Sequence, residues 1–165
     1  MVKCVKRLRI VISILAFITM FVAVVYCCFK KKETQKKEII AKCLDKNLYF
    51  VHLMDLWIDN KQNGREIANW LLNNGYKKIA IYGMGILGKR LLEELYDTRI
   101  DVKYGIDINA DRINVDIDML KPTSDMKSVD VVIITCYEDK DEVINMMRKT
   151  LNCPVLDIKY ILERC

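Results

Sequence analysis

At 165 residues, 52% apolar and 30% charged, the chain has room for one ordinary domain and an appendage. Most of its net charge of +5 lies in two clusters, Lys3/Lys6/Arg7/Arg9 and Lys30/Lys31/Lys32/Lys36/Lys37, and no basic stripe with interleaved aromatics suggests a nucleic-acid partner. Seven cysteines without any CxxC and a single histidine, His52, argue against a disulfide framework and against a metal site, and the free thiols fit a reducing compartment.

Residues 1–9 read as a basic tail. Ile10–Phe29 (IVISILAFITMFVAVVYCCF) has no charge, and at ~1.5 Å per residue its twenty positions cover ~30 Å, the thickness of a hydrocarbon core. A cleaved signal peptide is the alternative. No small-x-small cleavage pattern follows the run, three lysines close it, and Val24, Val25 and Tyr26 do not suit a lipoprotein site before Cys27. The expectation is an uncleaved, single-pass anchor over residues 10–29. Lysine and arginine flank both of its ends, with slightly more on the C-terminal side, which points residues 30–165 to the cytoplasm.

Residues 30–75 are expected to be a helical linker or docking region. Glu33–Asn60 contains neither Pro nor Gly; its first half is charged, and its second half carries Leu48, Phe50, Val51, Met54, Leu56, Trp57 and Ile58. An apolar stripe at three-to-four spacing implies packing, either on the following domain or in self-association or binding of a partner protein through residues 38–75. Lys61–Gly64 reads as a turn, and Arg65–Asn74 as a second short helix closed by Gly75.

Residues 76–165 hold the informative pattern. Lys78–Tyr82 (KIAIY) is a short apolar strand that runs into Gly83-Met84-Gly85-Ile86-Leu87-Gly88, a complete GxGxxG, and Lys89–Tyr96 continues as helix with Leu91, Leu92 and Leu95 on one face. In this context the first glycine permits the turn, the second lets a phosphate approach the backbone, and the third lets helix and strand pack closely. Amides at the helix N-terminus then face the phosphate. Val102–Ile106 is a second strand ending at Asp107, which lies 24 residues after Gly83. A carboxylate there can bond a ribose hydroxyl, or it can simply cap a turn with Asn109.

Ile108–Ser128 is irregular, with a short edge strand expected at Val115–Asp118. Asp130–Thr135 reads as a buried strand, Lys140–Leu151 as a helix, Pro154–Ile158 as a last strand and Tyr160–Arg164 as a terminal turn. The expected fold class is α/β: a small Rossmann-like parallel sheet with flanking helices, preceded by helical segments and one N-terminal transmembrane helix. Ligands of such sheets bind at the C-terminal strand ends, so Gly83–Gly88, Asp107, Asn109 and Thr135–Tyr137 should converge on one crevice. The candidate cofactor-binding residues are Gly83, Met84, Gly85, Ile86, Leu87, Gly88, Asp107, Asn109 and Thr135.

On Gly83–Gly88 and Tyr104–Asn109 (YGIDIN) the chain resembles small Rossmann domains of bacterial surface-polysaccharide biosynthesis. It looks like the nucleotide-sugar-binding N-terminal domain of sialic-acid and bacillosamine-type sugar acetyltransferases, and it is similar to the NAD-binding cores of sugar epimerases and dehydratases. From Trp57 through Gly75-Tyr76-Lys77-Lys78 into IYGMGILG it also looks like domains accompanying glycosyltransferases in gut Firmicutes. The resemblance covers residues 57–165 and implies NAD, NADP or a nucleotide sugar as ligand. Two departures stand out. The Rossmann-like part lacks the epimerases' Tyr-x-x-x-Lys pair, since Lys140 follows Tyr137 one residue too early, and no hexapeptide-repeat domain of the acetyltransferases is present.

Three functions follow as expectations. The first is a membrane-anchored nucleotide or nucleotide-sugar binding module, accessory to cell-surface polysaccharide biosynthesis. The second is an NAD(P)-dependent epimerase or oxidoreductase acting on nucleotide sugars; its crevice candidates reduce to Cys136, Tyr137 and Glu138, and the catalytic residues stay unassigned. The third is a ligand-sensing regulatory domain like those of potassium channels. Asp107 without an adjacent arginine favours NAD, while Arg112 keeps NADP open.

Overall fold

A computed structural model describes the backbone of residues 2–123 and 125–165 and the side chains of residues 17–123 and 125–165. The chain divides into two compact units, Met1–Tyr49 and Phe50–Cys165. Helix α1 (Val2–Gln62) supplies all the described residues of the first unit and the opening of the second. Lys30–Lys37 is helical despite its charge, and Glu33 and Lys37 form an i,i+4 ion pair at 2.7 Å.

Among the described residues no helix is long and apolar enough to cross a membrane. The transmembrane helix expected over Ile10–Phe29 is therefore not supported by the structure. Its first part, residues 10–16, lies outside the described side chains, as does the basic tail at 1–9. The remainder, Phe17 to Phe29, is helical and exposed.

The second unit is a five-stranded parallel sheet with helices packed against it. After α1 come α2 (Ile67–Asn73), β1 (Lys78–Tyr82), α3 (Ile86–Leu95), β2 (Asp101–Ile106), a 3-10 turn (Ala110–Arg112), β3 (Met119–Leu120), β4 (Val131–Ile134), α4 (Lys140–Thr150), β5 (Val155–Asp157) and α5 (Ile158–Leu162). The strand order is β3-β2-β1-β4-β5, so the chain starts at the sheet centre, winds outward through β2 and β3, then crosses back to the other side of β1. That reversal creates a topological switch point between β1 and β4, beside the end of β1 that carries the glycine loop.

The two central strands explain themselves by composition. The residues of β4 (VVII) are all buried, and so are those of β1 after Lys78, as expected of parallel strands covered on both faces. Side-chain alternation puts Ala80, Tyr82, Val132 and Ile134 in one core, where Met147 of α4 and Leu151 join them. Ile79, Ile81, Val131 and Ile133 point to the opposite face, and α3, which packs on β1, buries Leu87, Leu91 and Leu95. The end of α1 belongs to this unit: Trp57 Nε1 donates to Glu94 Oε2, Lys61 Nζ lies 2.9 Å from Glu94 Oε1, and Asn60 Nδ2 donates to the Leu162 carbonyl at 2.7 Å.

One expected element is displaced. The edge strand read at Val115–Asp118 forms instead at Met119–Leu120. The edge of β2 sets the place: the Gly105 amide donates to the Asp118 carbonyl at 2.9 Å and the Asp107 amide to the Leu120 carbonyl at 3.0 Å. Residues 113–117 alternate in burial like a strand yet form no ladder.

Candidate functional site

The glycine loop sits between the end of β1 and the start of α3, and its three glycines differ in what requires them. Gly83 has φ +92°, a backbone conformation that L side chains rarely adopt, and a Cβ there would stand 3.0 Å from the Cys136 amide nitrogen. A Cβ on Gly88 would collide with the Gly83 carbonyl oxygen and lie 3.1 Å from Thr135 Oγ1. Gly85 is different. Its φ is −75°, and nothing lies within 4 Å of where its Cβ would be. It is exposed and occupies the position that caps α3, whose first amides have no acceptor within the helix. Protein packing explains Gly83 and Gly88; it leaves Gly85 facing open space.

Asp107, just past β2, reaches across to this loop. Its Oδ2 accepts the Met84 amide at 2.9 Å and its Oδ1 accepts the Asn109 amide at 2.8 Å. The turn-capping role is therefore real, and it also fixes the loop. A carboxylate offers about four lone-pair sites, so two bonds leave capacity for a hydroxyl pair. Asn109 is exposed and contributes its backbone here.

Thr135 follows β4 and is buried. Its Oγ1 lies within hydrogen-bond reach of the Tyr82 carbonyl, at 3.0 Å, and of the Gly83 carbonyl, so the hydroxyl clasps the loop to the sheet. The side chains of Met84 and Leu87 are buried as well, and only their backbones can meet a ligand. Ile86 is exposed on the first turn of α3. The residues singled out from the sequence thus come together: Gly83–Gly88, Asp107, Asn109 and Thr135 occupy one edge, with Gly85 and Ile86 exposed, Asp107 half-buried, and Thr135 and the side chains of Met84 and Leu87 buried beneath.

Cys136 lies beneath the loop, half-buried. Burial pushes its thiol pKa up, and the carboxylates of Asp157, Asp107 and Asp139 push it the same way. A protonated thiol is a weak nucleophile. Burial likewise raises Tyr82, with Cys136 and Asp107 adding to it. Asp139 and Asp157 were missed from the sequence, as was Lys140, whose Nζ pairs with Asp157 Oδ2 at 2.7 Å. The signal was available: Asp157 ends β5 as Asp107 follows β2, and parallel strands deliver their C-terminal residues to one edge. Negative charge at this edge means that a phosphate would depend on the amides of the loop and of α3.

A separate cleft of about 570 Å³ lies at the opposite edge, lined by Lys78, Lys103, Asp118, Asp125 and Lys127 among others. Among the described residues no group of three or more His, Cys, Asp and Glu could hold a metal ion. The described cysteines, Cys27, Cys28, Cys43, Cys136, Cys153 and Cys165, are free thiols. The chain matches no protein-family model, no curated protein and no solved structure.

Proposed function

We propose that residues 76–165 bind a nucleotide or nucleotide sugar at the glycine loop, and that the chain serves as a membrane-tethered binding module accessory to cell-surface polysaccharide synthesis. The observation that carries the binding role is Gly85, a glycine with ordinary φ and no neighbour to exclude a side chain, placed where α3 presents its first amides. A phosphate approaching the backbone is the physical reason for glycine at such a position. Asp107, anchored by two amides, supplies acceptors for a ribose diol, and with no arginine adjacent to it in sequence it favours an unphosphorylated ribose, hence NAD or a nucleotide sugar before NADP, which Arg112 keeps open. The tether rests on the charge-free run Ile10–Phe29 and its basic flanks, and the setting in polysaccharide synthesis rests on the resemblance of the YGIDIN and glycine-loop segments. Binding is favoured over catalysis because the Rossmann-like part lacks the epimerases' Tyr-x-x-x-Lys pair, and burial raises the pKa of the crevice thiol, Cys136.

The test is calorimetric titration of the full chain in detergent with NAD, NADP and a panel of UDP- and CDP-sugars, alongside Gly85→Asp. Micromolar binding of one class, lost in a variant that melts like the wild type, supports the reading. A folded protein that binds none of them refutes it.

A further inference from the structure

Among the described residues the first unit consists of α1 alone, and its surface is sorted along the helix axis, not around it. Every residue from Phe17 to Phe29 is exposed. At 100° per residue these positions cover the whole circumference, so no face is set aside for packing. Directly after them come Lys30, Lys31, Lys32, Lys36 and Lys37, also helical and exposed. The lysines too surround the helix, with no gap between neighbours wider than about 100°. Set against Glu38 and against Glu33, which pairs with Lys37, they leave a net charge of +3 over residues 30–38.

We infer that this lysine collar holds the headgroups of net-anionic phospholipids where α1 leaves the bilayer, a contact that presupposes the tether proposed above. Three observations favour lipid as the occupant. A partner helix would cover one stripe of α1, whereas the apolar run and the collar each present the same chemistry in every direction, which suits a surrounding medium. The lengths agree as well. The charge-free Ile10–Phe29 covers ~30 Å, the collar occupies the next ~10 Å, and a headgroup layer is ~5–8 Å deep, within reach of the long lysine stems. Charge complementarity then selects the lipid: phosphatidylcholine offsets its phosphate with its own ammonium, while an anionic headgroup leaves the phosphate uncompensated and attracts every lysine near the surface.

Cys28 provides the probe, being exposed on α1 two residues before Lys30. The experiment uses the full-length chain in a Cys4→Ser/Cys27→Ser/Cys43→Ser background with bimane on Cys28; the remaining cysteines lie in the second unit and are half-buried. The protein is reconstituted into phosphatidylcholine vesicles containing equal fractions of either chain-brominated phosphatidylglycerol or chain-brominated phosphatidylcholine. Bromine quenches only at short range, so the signal reports the lipids beside the collar and not those near the basic residues 3–9. The expected result is a preference for phosphatidylglycerol of about fivefold, the share of a single lysine. It should fall to near parity in about 1 M salt and when all five lysines are replaced by glutamine, and persist when all five are replaced by arginine. The thermal melt of the second unit should be the same throughout. Equal quenching by the two lipids in a protein that resists an alkaline wash overturns the inference and leaves the tether standing. So does a preference that survives in the glutamine variant. Absence of quenching by either lipid, with release of the chain by the wash, refutes the tether and the collar with it.

Discussion

Gly85 and Gly88 lie three residues apart in one motif, yet the structure assigns them opposite consequences when each is replaced by alanine. A Cβ on Gly88 overlaps the Gly83 carbonyl, a backbone atom in a loop already fixed by φ +92° at Gly83 and by the Thr135 clasp. Relief requires α3 to move away from β1, and overpacking of this kind costs about 1–3 kcal/mol. At ~4 °C per kcal/mol for a domain of this size, the melting temperature should fall by roughly 4–12 °C. Alanine at Gly85 meets nothing within 4 Å at an allowed φ. The lower rank of alanine at a helix cap, some tenths of a kcal/mol to ~1, is offset by ~0.4–1 kcal/mol of reduced unfolded-state entropy. Its melt should therefore stay within about 3 °C of the wild type. Ligand affinity should behave in the reverse sense, because the Gly85→Ala methyl occupies the space a phosphate needs: a loss of at least about tenfold, ~1.4 kcal/mol. Thermal melts by circular dichroism and titration with the tightest nucleotide measure both. Equal melting losses at the two positions, or an unaltered Gly88→Ala melt, would refute the reasoning.

Other outcomes follow from the same geometry. Asp130 accepts the Lys77 and Lys78 amides through Oδ2, and those bonds lower its pKa below the usual carboxylate value. Its stabilisation is thus present above the unfolded pKa and disappears as pH falls through the folded one, so Asp130→Asn should lose about 1 kcal/mol at neutral pH and show a flatter acid limb in denaturant titrations. Trp57→Phe removes the indole donor from Glu94, whose side chain is nearly buried, and should cost roughly 1–3 kcal/mol in chemical denaturation. Cys165, pushed up to about 11 by burial with Glu94 close by, should react with maleimide far more slowly at neutral pH than exposed Cys43, as followed by mass spectrometry. Cys136 should also lag behind Cys43, and a ligand seated on the glycine loop should slow it further.

The parts of the fold legible in the sequence are those where local chemistry and tertiary demand coincide. Lys78–Tyr82 is recognisable because a strand covered on both faces must be a short apolar run, and the glycines after it mark a turn and a close approach that no other residue makes without strain. Asp107 was legible by its offset from Gly83, though both of its alternative roles had to stay open until its bonds to Met84 and Asn109 were seen. Thr135 could be placed at the crevice, but the direction of a hydroxyl is set by neighbours distant in sequence, here the Tyr82 and Gly83 carbonyls. β3 was misplaced because residues 113–117 alternate as a strand would, while pairing is dictated by the free edge of β2. Lys30–Lys37, part of the segment expected to be a helical linker, continues α1: it has neither Gly nor Pro, and an ion pair forms at helical spacing.

The measurement that bears most directly on the binding role is an amide-by-amide nuclear magnetic resonance titration with UDP-sugar and with NAD. Binding at the glycine loop predicts the largest shifts at Gly85, Ile86, Leu87 and Gly88, with Met84 and Asn109 responding through the Asp107 carboxylate they share. Shifts confined to Lys78, Lys103 and Lys127 at the opposite edge, or none at all in a folded sample, would contradict it.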